Sequence, residues 1–442
     1  TLLDVPDSLQ RHETATVAGS DLTLFLLLAA VLLGFGFLMG RAVNVNRFSL
    51  HGMYRDRLIR AYLGASNPSR KPDPFTGFAT SDNIKMHDLW RAPAHPGDID
   101  SRRPLHVINT TLNLVRGSKL AWQERKSESF SITPFYCGNF YEGYRRSSEY
   151  GGPNGITLGT AMAISGAAAN PNMGYHSSPP ITFLLGILNG RLGAWLGNTN
   201  VRGQEAYRHQ GPRWAVRPLF AELLGLTSSQ TKYVQLSDGG HFDNLGLYEM
   251  VLRRCRFIVQ CDAGRDPSVG FEDLGNVIRK IRIDFGVSID FNDKITIEPK
   301  AGTRGAGLYC AIGTINYSDV DGRMASPGTL IYIKPTVNVD GPLPYDVVSY
   351  AKDGDFPHES TADQWFDESQ FESYRALGSH VVDQITASAD RDNGKRDPWS
   401  LDDFLQAVQR YTKPSKPTAP TTATVRPVPE GVNFPLPLLE QS

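Results

Sequence analysis

The sequence predicts an α/β fold with a largely parallel central sheet, preceded by one membrane-spanning helix. Three observations carry this reading. Apolar strand-like runs alternate with helix-periodic runs over most of the chain. An uncharged run from Leu22 to Gly40 is about 19 residues long, which at roughly 1.5 Å per residue nearly matches the roughly 30 Å hydrocarbon core of a bilayer. The 442 residues are 40% hydrophobic and 21% charged, enough to bury a large core and unlike a disordered or fibrous composition.

The apolar run "LTLFLLLAAVLLGFGFLMG" reads as a transmembrane helix over 22–40. A secretory signal fits poorly, because the polar flank 1–21 carries Asp4, Asp7, Glu13 and Asp21 where a basic region would be needed. Arg41, Arg47, Arg55, Arg57 and Arg60 follow the run, so the positive-inside rule places the bulk of the chain in the cytoplasm. Cys137, Cys255, Cys261 and Cys310 lack the spacing of a zinc site or a disulfide scaffold and read as reduced thiols. A formal net charge of -1 gives no global field toward nucleic acid or an anionic surface. The chain opens on Thr1 inside a polar stretch, as a processed or partial product would.

Residues 41–102 form an amphipathic and irregular linker region. Its first part, "RFSLHGMYRDRLIRAYLG", has helical spacing and suits either the membrane surface or packing on the domain. From 65 to 102, Pro, Ser, Asp and Gly predict irregular structure. The main domain, 103–411, begins with strands at "RPLHVINTTLNLV" and "SFSITPFYCG". Helices are expected over "ITLGTAMAISGAAAN" (156–170), "TFLLGILNGRLGAWLG" (182–197) and "FEDLGNVIRKIRIDFG" (271–286). Strands "KITIEP", "YCAIGTINYS" and "TLIYIKPT" follow, with Asp321-Gly322 as a turn. A capping box, Ser360 to Asp363, opens an acidic helix. Residues 412–442 read as a disordered Pro- and Thr-rich tail.

The chemistry concentrates in "LSDGGHFDNLGLYE", 236–249, which leads into "RFIVQCDAG", read as the next buried strand. Asp238 ends a strand, and Gly239 and Gly240 permit a sharp turn and close backbone approach. Ligands of open α/β sheets sit beyond the carboxyl ends of the strands, so Asp238 would face substrate there. Three roles stay open for it: catalytic base, metal ligand, or turn former. The metal reading would enlist Asp238, His241, Asp243 and Glu249, although their spacing matches no standard ligand pattern. No G-x-S-x-G nucleophile elbow occurs. Ser66, Ser165 and Ser379 are the nearest candidates, and Ser165 reads best as a buried helix serine. "GTRGAG", 302–307, lacks the order of a phosphate-binding loop.

"AMAISGAAANPNMGYHSSPPI" followed by "LSDGGHFDNLGLYE" resembles the C-terminal half of the patatin-like phospholipases, of the large membrane-attached bacterial type, over roughly 103–265. The resemblance implies a three-layer fold with Ser165 to Ala169 in a small-residue helix. It also implies an active-site turn of Asp238, Gly239, Gly240 and Asn244. The implied activity is hydrolysis of lipid carboxyl esters, of phospholipid or lysophospholipid, by a Ser-Asp dyad with Asp238 as base, no histidine and no cofactor. The elbow serine and the glycine-rich oxyanion loop are not in this chain, so both are expected upstream of Thr1, and the 442 residues alone are expected to be inactive. A serine before Leu22 would meet Asp238 in one cytoplasmic site only if an even number of spans separates them. The implied location is the bacterial inner membrane with this domain cytoplasmic, the implied partners are an acyl lipid and the membrane, and no nucleic acid is expected. The alternative is a catalytically inactive, membrane-anchored scaffold of the same fold that binds lipid or protein.

Overall fold

Local pattern and loop length together decide the architecture of the computed structural model, which describes residues 22–65, 67–90, 104–117, 120–291, 295–297, 307–337, 343–360, 367–387 and 400–413. Helix α1 (Leu22–Ala42) is apolar on all sides and, among the described residues, is the one helix long and apolar enough to cross a membrane. Its single buried residue is Gly40. Helix α2 (Leu50–Leu58) continues as a π-helical turn over Ile59–Gly64. This amphipathic stretch packs on the domain: Ile59 is fully buried, and a Cβ on Gly159 would lie 2.4 Å from its side chain.

Among the described residues, ten strands form two sheets. In the first, β1 (Ile108–Asn113), β2 (Ser127–Ile132), β3 (Tyr136–Asn139), β4 (Gly143–Arg146), β5 (Ala194–Gly197) and β6 (Tyr233–Asp238) lie in the order β4-β3-β2-β1-β6-β5, and every pairing is antiparallel. This corrects the expected largely parallel sheet. Parallel neighbours need a crossover of about a dozen residues or more, whereas β2, β3 and β4 are joined by three-residue links that reverse the chain. Pro134 sits in the first of these links, so the strand expected across 129–138 is two strands.

Between the strands run α3 (Leu158–Ser165), α4 (Pro179–Ile187) and α5 (Val216–Leu223). The long helix expected over 182–197 ends at Ile187, because glycines at 190 and 193 interrupt it and "AWLG" pairs with β6 as the edge strand β5. Helix α3 packs against β1 in a core that includes Leu112, Phe130, Ile132, Ile164 and Leu236.

Helix α6 (Leu247–Leu252) leads into the second sheet, built from β7 (Phe257–Cys261), β8 (Ser288–Phe291), β9 (Cys310–Asn316) and β10 (Gly328–Ile333) in the order β7-β10-β9-β8. Only the β7–β10 pair is parallel, and helix α7 (Glu272–Phe285) belongs to that crossover. Alternation along β10 feeds two cores. Leu330 and Tyr332 join α6 and α7, while Ile331 and Ile333 join α8 (Tyr345–Tyr350), α9 (Glu368–Thr386) and α10 (Leu401–Thr412). Strand β7 was expected to be buried, yet it is an edge strand with Val259 and Cys261 exposed.

Helix α9 is capped by Asp367, which accepts from the Gln370 amide, and not by Ser360; Asp363 lies outside the described residues. The capping box that does form is Ser400–Asp403, at the start of α10. The four cysteines are free thiols. The polar flank 1–21, Ser66, "GTRGAG" up to residue 306, and the tail beyond 413 lie outside the described residues, as do Lys294, Glu298 and Pro299 of "KITIEP", whose described residues 295–297 are irregular and not the expected strand.

Candidate active site

Strand β1 holds the D-G-G turn from the side. Thr110 pairs with Asp238 in register, and the Thr111 hydroxyl donates to the Gly239 carbonyl at 3.2 Å. Asp238 closes the turn itself: its Oδ1 accepts the Gly240 amide at 2.7 Å, the i to i+2 bond typical of Asp in turns. Both glycines are required by space. A Cβ on Gly239 would meet the Asn109 carbonyl oxygen at 2.7 Å, and one on Gly240 would meet Asn244 Oδ1 at 2.8 Å and Asp238 Oδ1 at 3.1 Å. The turn and α6 are bound together by Asp243, whose buried carboxylate accepts from the Leu245 and Tyr248 amides at 3.0 and 2.9 Å.

Asp238 opens on a cavity of about 510 Å³ that is also lined by Tyr54, Leu58, Asn109, Met162 and Ser165. Burial pushes its carboxyl up from the ordinary 3.8 to about 6, against the lowering effect of the Gly240 amide. Among the described residues no cation pairs with it. Burial raises the Tyr54 phenol, and the Asp238 charge raises it further, which places the two groups within electrostatic reach of each other. An uncompensated carboxylate titrating close to neutrality beside a cavity can take up a proton from a bound hydroxyl or water.

The structure separates the groups of the metal reading. His241 Nδ1 bonds the Ser237 hydroxyl at 2.9 Å, Asp243 caps backbone amides, and Glu249 accepts from Ser129 at 2.5 Å and pairs with Arg253. No group of three His, Cys, Asp or Glu side chains positioned to hold a metal occurs among the described residues. The Asn244 side-chain amide donates to Asp273 Oδ2 at 2.8 Å, tying the turn to the first turn of α7.

Ser165, read from sequence as a buried helix serine, ends α3 and is half-buried at the same cavity. Its hydroxyl donates to the Asn109 carbonyl at 2.8 Å. Tyr54 and Asn109 are the cavity residues that sequence reasoning missed. Asn109 lies in a strand, Ile-Asn-Thr-Thr-Leu-Asn, that is rich in polar residues, so its type did not mark it out, while Tyr54 comes from a helix far away in the chain. A larger cavity of about 760 Å³ adjoins His51, but burial pushes that imidazole down to about 4 and its Nδ1 is held 2.7 Å from the Leu192 carbonyl oxygen, so it is a neutral structural group.

No family model matches the chain, and no curated protein does either. Among solved structures it is similar to human GIVD cytosolic phospholipase A2, with a TM-score of 0.41 and 14% identity over 83% of this chain and 53% of that one. The chain thus spans about half the length of the structure it matches.

Proposed function

We propose that the domain carries the base of a membrane-attached serine acyl hydrolase that cleaves carboxyl esters of phospholipid or lysophospholipid, with Asp238 as that base. The observation that carries the reading is the Asp238 carboxyl, raised to about 6 and without a cationic partner among the described residues, at the edge of a cavity. The resemblance to patatin-like phospholipases supplies the partner group, a serine outside these 442 residues. Ser165 is not taken as that serine, because it ends a helix instead of topping a strand-to-helix elbow and its hydroxyl is committed to Asn109.

In the first half-reaction the serine O–H gives its proton to Asp238 as its oxygen bonds the ester carbonyl carbon and the carbonyl electron pair moves onto oxygen. Collapse breaks the bond to the alcohol, which leaves with the proton from Asp238. Water then repeats the sequence on the acyl-serine: Asp238 takes its proton and returns it to the departing serine oxygen. Gly239 and Gly240 let the turn approach substrate without a side chain in the way.

The test compares ester turnover by the intact protein in lipid with that of Asp238→Asn and Ser165→Ala. Asp238→Asn removes the base and leaves a folded protein, with turnover down by about 10²- to 10⁴-fold. Ser165→Ala keeps wild-type turnover. Full activity in Asp238→Asn would remove the dyad, and loss of activity in Ser165→Ala would move the nucleophile into this chain. A folded wild-type protein that binds lipid and never turns over would favour the inactive scaffold.

A further inference from the structure

The last turns of helix α1 touch the domain. Phe37 stacks edge-on against Trp214 with ring centroids 4.7 Å apart, the Ala215 amide donates to the Gly40 carbonyl at 2.8 Å, and a Cβ on Gly40 would lie 2.4 Å from Val216 Cγ2. Immediately beside this joint, α4 and α5 pack on each other where Gly186 leaves room for Leu223, since a Cβ there would sit 3.0 Å from Leu223 Cδ1. The pair then leaves its large side chains outside. Phe183, Leu184, Ile187, Leu188, Phe220 and Leu224 are each more than half exposed. Such a contiguous apolar surface is not the scatter of single apolar residues found on ordinary soluble faces. Its setting is basic as well: Arg41, Arg47, Arg213 and Arg217 are exposed nearby in sequence, and the only acid in α4 or α5, Glu222, is buried in an ion pair with Arg191.

We propose that the α4–α5 pair is a membrane-docking surface that seats its apolar side chains at the headgroup–acyl boundary of the same bilayer that α1 crosses. The occupant is lipid, for two reasons. The apolar surface adjoins the end of a helix that is itself apolar on every side, and the arginines around it complement anionic lipid phosphates. Docking at this second point converts a single flexible anchor into a fixed orientation of the domain. The inference rests on α1 as a span and is independent of the chemistry of Asp238.

Full-length chain in which Cys255 and Cys261 are replaced by Ser is labelled with an environment-sensitive fluorophore at Leu184→Cys, at Leu32→Cys within α1, or at Met324→Cys, which is 97% exposed and lies beyond β9. Each is reconstituted in vesicles of phosphatidylcholine with phosphatidylglycerol, containing lipids spin-labelled at shallow or deep positions. Position 184 should be quenched by the shallow label, position 32 by the deep label, and position 324 by neither. Quenching at 32 with position 184 as wet as 324 would overturn docking while leaving the span. No quenching at 32 would overturn the span on which docking rests. Protection at 184 that survives in detergent together with cross-linking between copies would make the occupant a second chain and would also overturn the proposal.

Discussion

Two aspartates occupy equivalent local positions and meet different fates. Asp238 ends β6 before Gly-Gly, and Asp262 follows β7 before Ala-Gly. Each accepts the amide two residues on, at 2.7 Å from Gly240 and 2.8 Å from Gly264, so the turn chemistry is the same. What differs is the far side of the carboxylate. Asp262 is buried against Lys334 Nζ at 3.1 Å and accepts the Tyr332 hydroxyl, and Lys334 also donates to the Gly264 carbonyl at 3.3 Å. Asp238 faces a cavity and has no cationic partner among the described residues. A carboxylate neutralised by a buried lysine is spent on structure, whereas one left uncompensated retains basicity. The D-G-G and D-A-G triplets alone do not distinguish the two.

The largest effects should separate these aspartates. Asp238→Asn should lower turnover of the intact protein by about 10³-fold, near 4 kcal/mol of barrier, with native circular dichroism. Asp262→Asn should reduce activity only in proportion to lost fold. Next in size, Lys334→Met leaves the Asp262 carboxylate buried without its cation and should cost about 3–5 kcal/mol of unfolding free energy in urea titration.

A third prediction turns on sign. The Asp238 pKa is raised in the folded state, so its contribution to stability is present below the ordinary 3.8 and is lost as pH rises through about 6. Asp238→Asn should therefore stabilise the fold by up to about 3 kcal/mol at pH 8 and by little at pH 4, read as the pH dependence of the melting temperature. Equal shifts at both pH values would mean that the carboxylate is not penalised by burial. Smallest of all, Asn244→Ala removes one exposed hydrogen bond to Asp273 and should cost about 1 kcal/mol.

Legibility from sequence followed the range of the interactions. Helices α1, α3 and α7 and strands β9 and β10 were readable because periodicity and flanking polar residues specify them locally. The turn at Asp238 was readable because glycine has few other uses there. Strand polarity was not, since it depends on which strand becomes a neighbour, and alternation of helix and strand along the chain favours parallel pairing only when the helix is the crossover. "AWLG" was absorbed into a helix because a short apolar run fits either period. The ion pair of Lys334 with Asp262 was not legible either, because the parallel β7–β10 pairing, between strands distant in the chain, brings the two together. Tyr54 at the cavity was likewise invisible, because α2 packs on α3 through contacts distant in sequence.

The central claim, that Asp238 is the working base, is tested most directly by the pH dependence of kcat/KM for lipid-ester hydrolysis by the intact protein. The account predicts activity that rises through a half-maximum near pH 6 and reaches a plateau above it, and a limb that disappears in the residual activity of Asp238→Asn. A limb that persists in Asp238→Asn, or one abolished by His241→Ala, would contradict it.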